Sequence, residues 1–287
     1  MARGAAVAVV LALALADVAH AKPRLERWEI LPALPAMPAP DASGDVASGD
    51  ARIHYASYGK GDAVVLLHGG LGNGDYMVFQ AQALAPAHHV IVIDLRGQGR
   101  STRGKHGLHY HQMAEDVIAV LDGLKIDHAA VVGWSDGAIV GIDLAIHHGD
   151  RISKVMAFGA NTDPSGMIAG GGHKPTLAAY MKMARAATLE LSPAPKEIDA
   201  LMDDLGAMWK HEPDYSADEL GSIKIPVLVA DGDHEEIIKR EHTEAIAKRI
   251  PGAKLVFLKD ASHFALWQVP DDFDRAMIEF IDTPAAK

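Results

Sequence analysis

Six stretches of this 287-residue chain carry Val, Ile and Leu in short, nearly unbroken runs: "AVVLLHGG", "HHVIVIDLRGQG", "AAVVGWS", "ISKVMAFGA", "IPVLVADGD" and "AKLVFLKDASH". They are too short for buried helices and lack polar alternation, so they read as parallel strands covered on both faces. A seventh, "ARIHYASYG", alternates like a half-buried strand and ends in a Gly-Lys-Gly turn. Between the runs, "YHQMAEDVIAVLDGLK", "GAIVGIDLAIHH", "KREHTEAIAKRI" and "DDFDRAMIEFID" place apolar residues at helical spacing. Strands alternating with helices predict an α/β fold, a mostly parallel sheet flanked by helices with right-handed crossovers.

One region breaks the alternation. From Thr162 to Ser222 no strand-like run occurs, and "PTLAAYMKMARAATLEL" and "APKEIDALMDDLGAMWKHE" are helical instead. An excursion of about 60 residues exceeds an ordinary connection. It predicts a small helical cap, residues 162–222, over the carboxyl ends of the strands, where open α/β sheets bind ligands. The core is then residues 51–161 and 223–287. The cap methionines Met181, Met183, Met202 and Met208 read first as helix packing. Residues 22–50, rich in Pro, Ala, Asp and Gly, read as a linker or N-terminal arm. Ahead of it, Arg3, the uncharged apolar segment Ala5–Ala16 and "AHA" at Ala19–Ala21 have the form of a signal peptide over residues 1–21. The expectation is an exported protein, periplasmic or secreted, with a mature start at Lys22.

The formal net charge of −11 argues against nucleic acid or an anionic membrane as partner, since both reward basic patches. With no cysteine, disulfides, thiolate zinc sites and a Cys nucleophile are excluded.

The chemistry concentrates at Gly133-Trp134-Ser135-Asp136-Gly137, a G-x-S-x-G stretch that follows a strand and opens a helix. A serine at so sharp a turn occupies a strained backbone conformation, and side chains two residues away would collide, so glycines flank it. The turn lifts the hydroxyl out of the sheet, beside the positive end of a helix.

With these residues the chain resembles the α/β-hydrolase family over roughly residues 51–285. The resemblance implies a serine hydrolase whose nucleophile is Ser135 and whose base is His263, the histidine of "LKDASHFALWQVP" between the last strand and the final helix. "HGG" at His68–Gly70 implies half an oxyanion hole, with the backbone N–H of Gly70 as one donor and that of Asp136 as the other. "DLRGQGRS" (Asp94–Ser101) resembles a structural turn of that family, with Arg96 in a salt bridge. The family's acid stands in a G-x-x-D pattern, but Gly232-Asp233-His234-Glu235 offers a glutamate there. Glu235 is the first candidate, with Asp233 and then Asp231 as alternatives. His106, His109 and His111 lie in a loop without the spacing of a known metal site, so no metal is expected; His147 and His148 read as surface residues.

Asp136 has two readings. A carboxylate in the first turn of a helix suits the helix dipole. The string "GWSDG" also resembles the valacyclovirase-like amino-acid-ester hydrolases, which implies that Asp136, with Trp134 nearby, meets a substrate ammonium. The expected reaction is cleavage of an ester or related acyl bond of a small molecule through an acyl-enzyme, with no cofactor. A C–C bond hydrolase and a cofactor-free perhydrolase or haloperoxidase use the same triad. A catalytically silent ligand-binding protein is the rival of a different class.

Overall fold

The computed structural model describes residues 25–170 and 174–284; the expected leader at residues 1–21 lies outside them. In chain order the elements are β1 (Ala42–Ser48), β2 (Ala51–Tyr58), β3 (Ala63–Leu67), α1 (Val78–Leu84), β4 (His89–Ile93), α2 (Tyr110–Leu124), β5 (Ala129–Trp134), α3 (Asp136–His147) and β6 (Ile152–Phe158). Then follow α4 (Pro175–Leu191), α5 (Ile198–His211), α6 (Ala217–Ser222), β7 (Val227–Gly232), α7 (Arg240–Arg249), β8 (Lys254–Leu258), α8 (Ala265–Gln268) and α9 (Pro270–Asp282).

The strands form one sheet in the order β1-β2-β4-β3-β5-β6-β7-β8. β2 runs antiparallel to β1 and β4; the six from β4 to β8 are parallel to one another. Val64–Leu67, Val90–Ile93, Ala129–Trp134 and Val227–Gly232 are buried throughout, as helices on both faces require. From β3 the chain winds one way to β4, and from β5 it winds the other way to β6. The crevice left between the carboxyl ends of β3 and β5 is where such a sheet takes ligands.

The N-terminal segment differs from a free linker. Ala42–Ser48 pairs with Ala51–Tyr58 across a turn in which Gly49 has φ +57°. Its sequence, "ASGDVAS", carries a single large apolar residue, Val46, which packs against α2 at Gly123. An edge strand with most side chains in solvent needs no hydrophobic alternation, so its composition looks like that of a linker. Upstream, the arm is docked: the Gln268 amide donates to the carbonyls of Trp28 and Ile30, at 3.2 and 3.0 Å. The Trp28 ring stacks on His234 with centroids 3.7 Å apart.

Arg96 is buried and ties the β1–β2 turn to α2. It donates to both oxygens of Asp116 (2.8 and 2.6 Å), to Asp50 (2.8 Å) and to the Ser48 carbonyl (3.0 Å). A guanidinium so fully partnered fixes geometry, as the sequence implied.

Within residues 162–222, α6 packs on α3 and α7 of the core. The excursion that covers the crevice is therefore α4 and α5. Arg103, in the loop after β4, pins α5 through Asp204.

Candidate active site

Strand β5 runs straight into α3 with no loop, and Ser135 is the hinge, at φ 55° and ψ −118°. A non-glycine residue in this region is strained by roughly 1–3 kcal/mol. The neighbours show what forces it. A Cβ on Gly133 would lie 2.2 Å from the Gly137 carbonyl oxygen, and one on Gly137 would lie 2.4 Å from that of Leu67. The turn is thus pressed against β3, and the Ser135 N–H donating to the Phe158 carbonyl at 2.8 Å clamps it to β6. Gly137 donates to the His68 carbonyl at 3.1 Å. His68 is fixed in turn: its Nε2 accepts from the Leu95 N–H at 3.0 Å, so its Nδ1–H donates to the Gly69 carbonyl at 2.8 Å.

Gly69 and Gly70 face the hinge; a Cβ on Gly69 would stand 3.1 Å from the Ser135 Cβ. Among the described residues, no acceptor engages the backbone N–H of Gly70 or of Asp136. Both groups flank Ser135 with their donors free, as an oxyanion site requires.

His263 follows β8, and Glu235 lies on the loop after β7. The structure brings them together: His263 Nδ1 lies 2.9 Å from Glu235 Oε2 and 3.0 Å from Oε1. Glu235 Oε1 also accepts from the N–H groups of Ile237 (2.6 Å) and Ile238 (3.1 Å). Asp233 turns away, accepting from the Ala261 N–H at 3.2 Å on the half-exposed side of the loop. Asp231 sits fully buried behind Glu235, held by the Thr243 hydroxyl at 2.8 Å. Burial pushes the Glu235 carboxyl up to about 7 and Asp231 well above the usual carboxylate range. Burial also pulls the His263 imidazole down, favouring the neutral form that accepts a proton.

Ser135, His263 and Asp136 border one cavity of about 120 Å³. Its other walls are mainly apolar, including Met167, Leu177, Met181, Ile237, Ile238 and Phe264. Met181 alone of the four cap methionines reaches it. Trp134 lines it too, but its indole N–H is spent on the His263 carbonyl at 2.8 Å, which positions the histidine loop.

Asp136 is 4% exposed and does more than start a helix. The Tyr110 hydroxyl of α2 donates to its Oδ1 at 2.9 Å, and the Trp209 indole of α5 donates to Oδ2 at 2.9 Å. Nearby, the Tyr180 hydroxyl of α4 donates to the Gly70 carbonyl at 2.7 Å. The two cap helices are therefore latched onto the two segments that flank Ser135. Tyr110, Tyr180 and Trp209 carry no sequence signal of this role; they lie 26, 110 and 73 residues from their partners. Burial pushes the Asp136 carboxyl up to about 6, with the two donors working against that rise.

A family model described as "alpha/beta hydrolase fold" matches residues 62–170. Human serine hydrolase BPHL is 28% identical over 260 residues, covering 83% of this chain and 86% of that one. A 2-hydroxy-6-oxononadienedioate/2-hydroxy-6-oxononatrienedioate hydrolase of Burkholderia vietnamiensis is also 28% identical, covering 80% and 91%. Among solved structures, Est816, described as an N-acyl homoserine lactone degrading enzyme, superposes with a TM-score of 0.66 at 28% identity, covering 83% of this chain and all of that one. A hydrolase from Pseudomonas aeruginosa gives 0.68 at 25%, covering 85% and 99%. The sheet order, the strained hinge and these matches define an enzyme of the hydrolase class. Together the matches support membership of the α/β-hydrolase family, whose fold the sheet reproduces.

The Asp136 carboxyl holds its proton more tightly in the folded chain, at about 6, than an ordinary aspartate of the unfolded chain does at 3.8. Folding is therefore least penalised below pH 4, and the penalty is complete once pH rises above 6. It amounts to roughly 3 kcal/mol. Asp136→Asn keeps an acceptor for Tyr110 and Trp209 but cannot ionise. Its unfolding free energy relative to wild type should be higher at pH 8 than at pH 3.5 by about that amount, measured by urea denaturation. An equal difference at both pH values would refute the account.

Proposed function

We propose that this enzyme is a serine hydrolase that cleaves an ester or related acyl bond of a small molecule through an acyl-enzyme. The observation that carries the reading is a serine held at φ 55° on the same cavity wall as His263, whose Nδ1 rests 2.9 Å from the buried Glu235. Ser135 Oγ attacks the acyl carbonyl as His263 Nε2 takes its proton. The N–H groups of Gly70 and Asp136 receive the oxyanion. Collapse of the intermediate expels the alcohol, which leaves with the proton from His263. Water then attacks the acyl-enzyme by the same route. Glu235 stabilises the imidazolium formed in each half. The apolar walls suit a hydrophobic acyl or alcohol group. The serine hydrolase and the lactone-degrading enzyme among the similar proteins support acyl chemistry.

The cavity also favours a substrate cation. Asp136 meets only neutral donors there, and among the described residues lining the cavity there is no Lys or Arg. An ester bearing a protonated amine beside its carbonyl answers that charge. The leader-like sequence at residues 1–21 is the basis for proposing export. N-terminal sequencing of the native protein should begin at Lys22; a chain retaining residues 1–21 would exclude it.

Ser135→Ala should lose turnover by several orders of magnitude on p-nitrophenyl esters and all labelling by a fluorophosphonate probe. Glu235→Gln should cut kcat by on the order of 10²–10⁴, with Asp233→Asn near wild type. Labelling of Ser135→Ala, or equal losses in the two acid variants, would contradict the assignments. Asp136→Asn should abolish the preference for an α-amino ester over its deaminated analogue while hydrolysing the neutral ester at least as well. An unchanged ratio of kcat/KM values would reject the cation pocket.

A further inference from the structure

His111 falls inside α2 rather than in a loop, and this gives the histidine-rich segment a different meaning. His111 and Glu115 stand four residues apart on α2, and Asp143 and His147 stand four apart on the adjacent α3, so each pair shares one helix face. The faces meet in a surface hollow. His111 Nδ1 lies 2.9 Å from Asp143 Oδ1, His111 Nε2 lies 3.8 Å from Glu115 Oε1, and the rings of His111 and His147 are 4.7 Å apart. One donor atom from each of His111, Asp143 and His147 lies within 4.8 Å of the others.

We propose that this hollow is a binding site for a divalent transition-metal ion, with His111, Asp143 and His147 as ligands and Glu115 or water in the fourth position. Two imidazoles and a carboxylate are a donor set suited to Zn²⁺. Four-coordinate zinc spaces such ligand atoms roughly 3.4 Å apart. Small rotations of two exposed imidazoles close the remaining gap, while Asp143 is already anchored. It is 1% exposed, and the Tyr215 hydroxyl donates to its Oδ2 at 3.0 Å, the kind of outer contact that orients a metal ligand. The hollow is also electrostatically prepared. Its wall carries the carboxylates of Glu115, Asp143, Glu212, Asp214 and Glu219 and, among the described residues lining it, no Lys or Arg. The ion clamps the first turn of α2 to the last turn of α3. Tyr110, one residue before His111, is one of the two groups that hold Asp136 in the cavity, with Trp209. The site is independent of the hydrolytic reading.

The test uses the full-length protein, treated with EDTA, exchanged into chelator-free buffer and titrated with ZnCl₂ by calorimetry. Saturable binding of one ion per chain is expected, with a rise in Tm. In His111→Ala/His147→Ala the affinity should fall by about tenfold or more and the Tm rise should vanish. His147→Gln alone gives the same direction should the double variant fold poorly. His128→Ala, an exposed histidine elsewhere, should behave as wild type. An anomalous peak at the zinc edge between α2 and α3 locates the ion. Absence of saturable binding, or uptake unchanged in the folded variants, would overturn the proposal.

Discussion

The approach of α3 to the end of β3 sets the geometry of everything around the site. With Gly137 seated on the Leu67 carbonyl and Gly133 under the Gly137 carbonyl, no methyl group fits at either position. The chain can pass from strand to helix there only by way of a left-handed residue, and that residue is Ser135. Hydrogen bonds to Phe158 and His68 hold the turn on both sides, so the strain is fixed in place by the sheet itself. The site's precision therefore comes from backbone crowding in the rigid centre of the fold. The mobile parts of a protein are poorly suited to that task.

Around this hinge the fold buries the carboxyls Asp136, Asp231 and Glu235, and among the described residues lining the cavity there is no lysine or arginine. They are held by neutral donors instead: a phenol, an indole, a threonine hydroxyl and backbone N–H groups. Such partners lower the cost of burial without cancelling the charge. In the proposed mechanism, negative charge on these groups supports the imidazolium that proton transfer creates at His263. The same charge would cost the oxyanion some stabilisation, the chemical reason for proposing a substrate cation near Asp136.

Much of this was legible in the sequence because it is local. Buried parallel strands announce themselves as apolar runs, and the hinge as a serine between glycines. His263 stands at a fixed place after the last strand. Glu235 is three residues past Gly232, where the resemblance implies an aspartate, and the side chain one carbon longer still reaches His263. What the sequence hid is either weakly apolar or distant. β1 is an edge strand of small and polar residues. The latch formed by Tyr110, Tyr180 and Trp209 depends on how helices far apart in the chain come to rest on one another. His111 looks like a loop residue in the sequence because the segment before α2, with Gly104 and Gly107, breaks the helical pattern just ahead of it.

The docked N-terminal arm reaches further than its position suggests. Trp28 stacks on His234, the residue before Glu235. Gln268, which grips the arm at Trp28 and Ile30, uses its other amide atom to accept from the N–H of Ser262, the residue before His263. One short stretch of chain thus braces, from behind, both loops whose ends must meet for the histidine and its acid to touch. Chain ends are usually the place where trimming or fusion is harmless. In this molecule the boundary of the mechanical unit runs through residues 28–30, so an expression tag or a shortened start that disturbs them acts on the spacing of His263 and Glu235 from outside the pocket.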